Sequence, residues 1–264
     1  MLLTFTSKGI YCRQADVYID PWKPVKKALI THGHADHSRW GHKHYLSTKA
    51  AAPVIYQRLG DINLEVVDFG EVTQINDVKF SFHPAGHIVG SAQIRVEYKG
   101  EVWVVSGDYK LENDGISEPF EPVKCNTFIT ESTFGLPIYK WAPQKEVFAD
   151  VNAWWQQNKE AGKVTILTGY ALGKAQRIIE HLDEGIGTIY THGAVENVNE
   201  VIRNQGVALK PTVRVTQDID PKEFKGNIVV GYPFSHWEPL GKEIQAILSW
   251  HCFWLDGTEG SSQT

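Results

Sequence analysis

The sequence contains three cysteines, Cys12, Cys125 and Cys252, among 264 residues. They are scattered along the chain, and no two of them have Cys-x-x-Cys spacing. Such a dispersed set argues against a disulfide framework and against a thiolate zinc site. We therefore expect the three cysteines to be ordinary thiols.

The sequence also lacks a long apolar run. Its first eight residues, MLLTFTSK, contain no basic region followed by an extended apolar segment. No later apolar segment is long enough to span a bilayer. These absences predict a soluble, cytoplasmic protein without a membrane partner.

Positive charge is scarce as well, with 26 Lys and Arg against 31 Asp and Glu and a net charge of −5 at pH 7. A protein that coats nucleic acid by bulk electrostatics needs many cationic contacts to phosphates, so this class is disfavoured. A local groove for nucleic acid is not excluded, because bound divalent cations supply much of the positive charge that a phosphodiester requires.

The densest group of ligand-type side chains is the segment HGHADH at residues 32–37, directly after the apolar residues 28–30. Its three imidazoles and its carboxylate are ligands suited to borderline cations such as zinc. Buried imidazoles and carboxylates cost free energy unless a cation or hydrogen bonds satisfy them. A solvated His-rich turn is the alternative, but the pattern favours a metal site.

Three further polar side chains, His87, Asp108 and Glu131, each follow a run that is typical of a buried strand. Side chains at the ends of neighbouring strands meet at one edge of a sheet, so we expect them to share a site with the His cluster. The alternatives are a hydrogen-bonded loop histidine and turn or capping acids. Residues 20–24, DPWKP, predict only a turn.

The 42% hydrophobic content is sufficient for one substantial core and a second, smaller lobe. Short strands dominate the first half, whereas residues 144–204 alternate helices with strands, which predicts a parallel sheet covered by helices. In this second region Lys174 and Arg177 lie at a predicted helix start, where backbone N–H groups favour a phosphate. A plain strand–helix turn with surface cations is an equal alternative.

The motifs resemble those of a known family. The segment HGHADH, then His87 and then Asp108 match, in order and spacing, the successive metal motifs of the metallo-β-lactamase superfamily. ESTFG at 131–135 and ALGKAQ at 171–176 resemble the β-CASP branch, whose members cut nucleic acids and insert an α/β domain into the lactamase-like fold.

Three shorter segments are similar to the bacterial DNA-ligase-associated exonucleases of that branch. They are GIYC at 9–12, YIDPW at 18–22 and RWG at 39–41. The resemblance to the superfamily as a whole extends from the N-terminus to about Val230.

The resemblance implies two divalent metal ions, with zinc as the expected metal. Their ligands would come from six residues: His32, His34 and His87 for one ion, Asp36 and His37 for the other, and Asp108 between them. Two such cations suit phosphodiester hydrolysis because they stabilise both the attacking and the leaving oxygen.

Two carboxylates would have catalytic roles by the same resemblance. Asp36 would act within the second metal site, and Glu131 would orient a ligand or shuttle a proton.

The implied fold class is α/β: a metallo-β-lactamase-like αββα sandwich with an inserted α/β β-CASP-like domain. Residues 1–136 would form the lactamase-like part, 137–230 the insert, and 231–264 an aberrant tail. The lactamase half would then be incomplete at its C-terminus, leaving apolar surface uncovered.

The tail departs from the family pattern. A strand, a Gly-Trp-Met segment and a Ser-Asp-His-Ala-Asp motif, whose histidine completes the second metal site, are all missing after Val230. A possible coding sequence for residues 250–260, read one base later, gives GIASGWMALR, which resembles the missing segment. We therefore hypothesise an out-of-frame tail and a weakened second metal site, with His236 and His251 as bystanders. The gene's downstream nucleotides test this, because an alternative frame without Ser-Asp-His-Ala-Asp would refute it.

The leading functional prediction is a zinc-dependent nuclease that hydrolyses DNA, as an exonuclease linked to repair or ligation, with a DNA ligase or helicase as a partner. An RNA-processing nuclease of the same branch is the first alternative, because nothing in the metal motifs recognises the sugar. The second is an inactive metal-binding or scaffold relative, because a metal ligand is missing.

Overall fold

The computed structural model describes residues 1–133 and 135–232. The chain forms two compact units, one comprising Met1–Glu131 with Asn204–Val207, the other Ser132–Arg203 and the residues from Ala208 onwards. Apart from Gly231 and Tyr232, the predicted tail lies outside the described residues, as does Phe134 of the ESTFG motif.

The first unit contains two sheets and one helix. The first sheet has six strands in sequential order: β1 (Thr4–Thr6), β2 (Gly9–Cys12), β3 (Val17–Ile19), β4 (Lys27–Leu29), β5 (His44–Thr48) and β6 (Leu64–Val67). Strands β1 to β3 are antiparallel, whereas β3 to β6 are parallel. Helix α1 (Ala52–Leu59) lies between β5 and β6 and is followed by Gly60.

The second sheet has five strands in the order β11-β10-β9-β8-β7. They are β7 (Val72–Ile75), β8 (Val78–Pro84), β9 (Ala92–Tyr98), β10 (Glu101–Val105) and β11 (Thr127–Ile129). All neighbouring pairs are antiparallel except β10 with β11, which are parallel.

The two sheets pack face to face on alternate residues. Val78, Phe80 and Phe82 of β8 share a core with Leu29 and Leu46 of the first sheet. This alternation of buried apolar residues is the period-two pattern that predicts a strand with one face in a core. Each fully buried side chain of this kind contributes roughly 1.5–3 kcal/mol.

The other face of the first sheet is covered by α1. Ala28, Ile30 and Tyr45 pack against Ile55 of that helix. Strand β4 is therefore buried on both faces, which explains why residues 28–30 are continuously apolar.

The second unit is a four-stranded parallel sheet with helices. Its strands are β12 (Thr165–Thr168), β13 (Ile189–Thr191), β14 (Val213–Arg214) and β15 (Ile228–Gly231), in the order β12-β15-β13-β14. Its helices are α2 (Gln144–Glu160), α3 (Lys174–His181) and α4 (Gly193–Asn204), with a 3-10 turn at Pro221–Phe224. Trp155 of α2 is completely buried in this unit's core.

The mixed α/β class predicted from the sequence is confirmed. Strand β15 ends at Gly231, one residue inside the segment assigned to the tail, and the two units divide at Glu131 and Ser132, before the predicted boundary at 136. In the described part of the chain, no helix has both the length and the apolar character needed to cross a membrane.

Candidate metal centre

The HGHADH segment forms a loop at the carboxyl end of β4. The backbone N–H of Ile30 still bonds to Leu46, at 2.9 Å, so the loop begins at Thr31. Thr31 accepts a hydrogen bond from Ala92 of β9 on its carbonyl oxygen, at 2.8 Å. The metal loop is therefore attached to both sheets of the first unit.

Four of the predicted residues meet at this point. His32, His34, His87 and Asp108 each offer one ligand atom, and these atoms all lie within 4.8 Å of one another. Nδ1 of His34 lies 3.1 Å from Nε2 of His32 and 3.2 Å from Nε2 of His87. Oδ2 of Asp108 lies 3.7 Å and 3.6 Å from the same two Nε2 atoms.

The hydrogen bonds around Thr31 direct a lone pair of His32 towards this centre. The Thr31 hydroxyl donates to Asp20 at 2.6 Å, so its oxygen accepts from Nδ1–H of His32, 3.0 Å away. The Nε2 atom of His32 is then an acceptor, and it lies in a completely buried ring that faces the other imidazoles. An orienting bond on the far nitrogen is the usual arrangement for a metal-ligating histidine.

Two of these histidines are held in the neutral form that binds metals. Burial, together with the nearby imidazoles of His37, His34 and His87, lowers the pKa of His32 well below its usual value. Burial and the neighbouring His34 lower the pKa of His87 to about 4. Three imidazoles and a carboxylate at one point fit a borderline divalent cation, so the residues present suit the metal that the sequence predicts.

His37 lies beside this group and is bound by two acids. Its Nδ1 lies 2.8 Å from Oδ2 of Asp20, and its Nε2 lies 3.2 Å from Oδ1 of Asp108. Burial by itself lowers the pKa of His37, but the hydrogen bonds and charges of Asp108 and Asp20 outweigh it and raise the pKa to about 10. Burial raises the pKa of Asp108, but the hydrogen bond and charge of His37 outweigh this effect, so the pKa of Asp108 is lowered below its usual value.

Asp36 is the least enclosed of the predicted ligands. Its side chain is 70% exposed, and its Oδ2 lies 3.7 Å from Nε2 of His37. The structure thus brings four of the six predicted ligands into one group and leaves Asp36 and His37 at its side.

Asp20 contacts the residues of the candidate centre, which the sequence did not predict because DPWKP indicated only a turn. Its backbone has φ of +41°, which few residues other than glycine adopt. Its carboxylate accepts from the Thr31 backbone N–H at 2.8 Å as well as from the Thr31 hydroxyl, and it contacts His37. The available signal was its position directly after β3, because the other ligands also follow strands.

The loop that carries His87 is enclosed by backbone on two sides. A Cβ on Gly86 would lie 2.2 Å from the carbonyl oxygen of Lys110, and one on Gly90 would lie 2.2 Å from the backbone nitrogen of Ala51. Glu118 accepts a hydrogen bond from the Gly90 N–H at 2.8 Å. The backbone of Lys110 and Ala51 thus lies directly against the loop that carries His87.

Arg58, in the last turn of α1, holds the metal loop through long-range hydrogen bonds. Its guanidinium donates to the carbonyl oxygen of Gly33 at 2.7 Å and to the hydroxyl of Ser38 at 2.6 Å. These contacts join both ends of the loop to the helix, and no local sequence pattern indicated them.

Three other predicted site residues are not among the four clustered ligands. Glu131 follows β11, is partly exposed and is not one of the four clustered ligands. Lys174 begins α3 in the second unit, and the guanidinium of Arg177 donates to the Gln144 side chain. The carboxamide of Gln176 accepts from the Gly173 N–H at 2.7 Å, so this donor at the helix start already has a partner.

Of the cysteines, Cys12 and Cys125 are free thiols, and Cys252 lies outside the described residues.

Relatives of this chain include a probable DNA ligase from Opitutus terrae, 30% identical over 242 residues, which are 90% of this chain and 23% of that protein. An RNase J-like protein from Methanocaldococcus jannaschii is 28% identical, with 74% of this chain and 48% of that protein covered. Endoribonuclease YSH1 from Yarrowia lipolytica is 32% identical over 46% of this chain and 15% of its own length. The chain thus spans less than half the length of each of these curated relatives.

No protein-family profile matches the chain. The relatives nevertheless confirm the resemblance to the metallo-β-lactamase superfamily and its β-CASP branch that the motifs predicted.

Proposed function

We propose that this chain is a zinc-dependent nuclease that hydrolyses phosphodiester bonds in DNA from a strand end. The observation that carries the proposal is the group of His32, His34, His87 and Asp108, whose ligand atoms lie within 4.8 Å of one another. In a family with relatives named as nucleases, such a group favours metal-assisted hydrolysis at phosphorus.

In this proposal one divalent ion is held by His32, His34 and His87. A second ion is held by Asp36 and His37, and both ions share Asp108. Bound divalent cations supply activation of the attacking water and stabilisation of charge on the phosphodiester oxygens. The described part of the chain offers a second ion fewer ligands than the first, so we expect its affinity to be lower.

The protein's own groups orient this centre. Asp20 fixes Nδ1 of His37 and, through Thr31, directs Nε2 of His32. Arg58 holds the backbone of the loop between them. Glu131, at the end of the neighbouring strand β11, is proposed to orient a ligand or to move a proton.

For the whole chain we propose a lactamase-like αββα sandwich, residues 1–136, with a β-CASP-like insert at 137–230. The two face-to-face sheets and α1 support the first assignment, and the parallel sheet with helices supports the second. A phosphate contact by Lys174 and Arg177, a cytoplasmic location and a DNA ligase or helicase partner remain part of the proposal.

DNA is favoured because 90% of the chain matches a protein named as a probable DNA ligase. An RNA-processing nuclease is the second candidate, supported by the RNase J-like and YSH1 relatives. An inactive metal-binding or scaffold protein is the third, because Asp36 and His37 lie beside the clustered ligands.

Metal content and cleavage separate these candidates. The purified chain is loaded with zinc or manganese and incubated with end-labelled DNA and RNA of the same sequence, with EDTA as a control. We expect EDTA-sensitive release of nucleotides from DNA ends and its loss in His34→Ala. His44→Ala is the matched control, because His44 is exposed, lies at the amino end of β5 and has its Nδ1 hydrogen-bonded to the Asn63 side chain.

Preferential cleavage of RNA would show that RNA, and not DNA, is the substrate. Bound metal without cleavage of either polymer would favour the scaffold, and cleavage that persists in EDTA and in His34→Ala would refute the metal-dependent mechanism.

A further inference from the structure

The segment that follows the metal loop is fixed on both sides of Trp40. The Tyr45 hydroxyl donates to the carbonyl oxygen of Arg39 at 3.0 Å and accepts from the backbone N–H of His42 at 3.0 Å. His42 is buried, and its Nδ1 accepts from the Val25 N–H at 3.3 Å. The backbone at Trp40 is therefore held in place by its neighbours.

The side chain of Trp40, in contrast, is 74% exposed, compared with 43% for Trp22 and 50% for Trp141. A single exposed aromatic residue is common on protein surfaces and by itself indicates nothing. Trp40 differs because its backbone is fixed and because it lies three residues beyond His37. Its Cα is therefore at most about 11 Å from that of His37.

Arg39 adds a cation beside this ring. Its Nε donates to the carbonyl oxygen of Asp36 at 3.2 Å, and the side chain is exposed. A guanidinium fixed at Nε still offers its terminal N–H groups, whose fork geometry matches a phosphate.

We propose that Trp40 is a stacking platform for an unpaired base of the nucleic-acid substrate and that Arg39 binds an adjacent phosphate. This inference rests on the proposed nuclease function and names the form of its substrate, a single-stranded end. Proteins that bind single strands without sequence preference combine aromatic rings with cations in this way.

Base stacking in DNA explains why an unpaired end is the expected ligand of Trp40. Inside a duplex, both faces of each base are covered by stacked neighbours, whereas an unpaired nucleotide has a free face. Successive nucleotides on one strand of a duplex are about 3.4 Å apart along the axis. Trp40 thus lies within a few nucleotides of a phosphate at the metal centre.

Binding in EDTA tests the platform without cleavage. The probe is a fluorescein-labelled oligodeoxythymidine of about 12 nucleotides, and its anisotropy is measured with the full chain. We expect Trp40→Ala to weaken binding about 5- to 150-fold, the range for loss of one base–aromatic stack. Trp40→Phe should retain most of the affinity, because it keeps an aromatic face.

Phe5→Ala is the matched control, because Phe5 is also an aromatic residue of the first unit and is 70% exposed. It should leave binding unchanged. Circular dichroism of each variant verifies that the fold is retained, and a blunt hairpin of the same length should lose less affinity on Trp40→Ala than the single strand does.

A base-deletion series sharpens the test. Abasic sites are placed one at a time along the oligonucleotide, and one position should weaken wild-type binding as much as Trp40→Ala does. At that position the variant should show no additional loss. Wild-type affinity in Trp40→Ala, additive losses at every position, or no binding of the strand by the wild type would overturn the platform.

The two proposals can fail separately. A wild type that binds the oligonucleotide through Trp40 but cleaves no nucleic acid with added metal would refute the nuclease and retain the platform. If the wild type cleaves nucleic acid but Trp40→Ala binds the oligonucleotide as tightly as the wild type does, the nuclease proposal stands and the stacking platform is refuted.

Discussion

Both units gather polar side chains around the ends of buried strands, but the two groups differ in how they are satisfied. In the second unit, the buried carboxylate of Glu196 accepts from Thr191 at 2.5 Å, Thr212 at 2.7 Å, Asn199 at 3.0 Å and Arg203 at 2.7 Å. In the first unit, by contrast, imidazole nitrogens of His32, His34 and His87 face one another at 3.1–3.2 Å. The ligand atoms of the first unit's group are close enough to hold one cation, whereas the Glu196 carboxylate is surrounded by donors of its own unit.

This difference teaches that a polar residue after a strand is not in itself a functional signal. A buried carboxylate surrounded by donors stabilises its own unit, since each charged hydrogen bond contributes roughly 1.5–3 kcal/mol. The ligand atoms of His32, His34, His87 and Asp108 instead converge on one point, and three imidazoles with a carboxylate are a donor set that fits a divalent cation. The predictions below test the comparison, beginning with the largest expected effect.

Replacing Glu196 with Ala should destabilise the second unit by about 3 kcal/mol, because it leaves buried donors without an acceptor. Urea denaturation, followed by hydrogen exchange of peptides from each unit, measures the loss. Glu200→Ala on the same helix is the control. Its side chain is 57% exposed and pairs with Arg214, so its loss should cost about 1 kcal/mol or less. Equal effects of the two substitutions would contradict a special role for the buried network.

Adding zinc should stabilise the metal loop of the first unit and leave the second unit unchanged. A ligand that binds only the folded state contributes about 2.7 kcal/mol at a hundred times its Kd. Hydrogen exchange of peptides containing residues 32–38 and 174–181, with and without EDTA, measures both responses. Equal protection of both peptides by zinc, or protection of residues 32–38 that persists in His34→Ala, would contradict a zinc site confined to the first unit.

Replacing Arg58 with Met should lower the affinity for the first metal about tenfold, which corresponds to about 1.4 kcal/mol. The substitution removes the hydrogen bonds to Gly33 and Ser38 but keeps an unbranched side chain on α1. Competition with a chromophoric chelator measures the affinity. Gln57→Met, at an exposed position of the same helix, should have no effect. An unchanged affinity in Arg58→Met would show that the loop keeps its geometry without this residue.

Acid should remove the stability that the Glu196 carboxylate contributes. The loss is gradual, so the change over any one pH step is the smallest effect predicted here. Burial raises the pKa of Glu196, but hydrogen bonds from Thr191, Thr212, Arg203 and Asn199 outweigh it, so the folded pKa is lowered below 4.5. Stability from this group is therefore present above pH 4.5 and is lost as the pH falls through the folded pKa. The free energy of unfolding of the wild type and Glu196→Gln should converge below pH 4.5, and a constant difference would contradict the assignment.

The sequence predicted the features that depend on local patterns. Residues 144–204 alternate helices with strands as predicted, and His32, His87 and Asp108 follow strands as expected. Strands β14 and β15 were missed. The first has two residues, and the second, Ile228–Gly231, lies where the sequence was read as the end of the family pattern.

The contacts that orient the centre were not predictable from such patterns. Asp20 and His37 meet through folding of the first sheet, and Arg58 reaches Gly33 from the end of α1. Both are long-range contacts of residue types that are common in turns and on helix surfaces. The backbone on either side of Trp40 is likewise held by Val25 and Tyr45, through contacts that no local pattern indicates.

The hydrogen bond between Ala92 and Thr31 joins the two sheets beside the metal loop. The clustered ligands are divided in the same way, since His32 and His34 follow β4 of one sheet, whereas His87 and Asp108 follow β8 and β10 of the other. A cation held by all four would act as a cross-link between the sheets. Its removal would then loosen the connection between the sheets, so the sandwich core should open more often in the metal-free protein than in the metal-bound one.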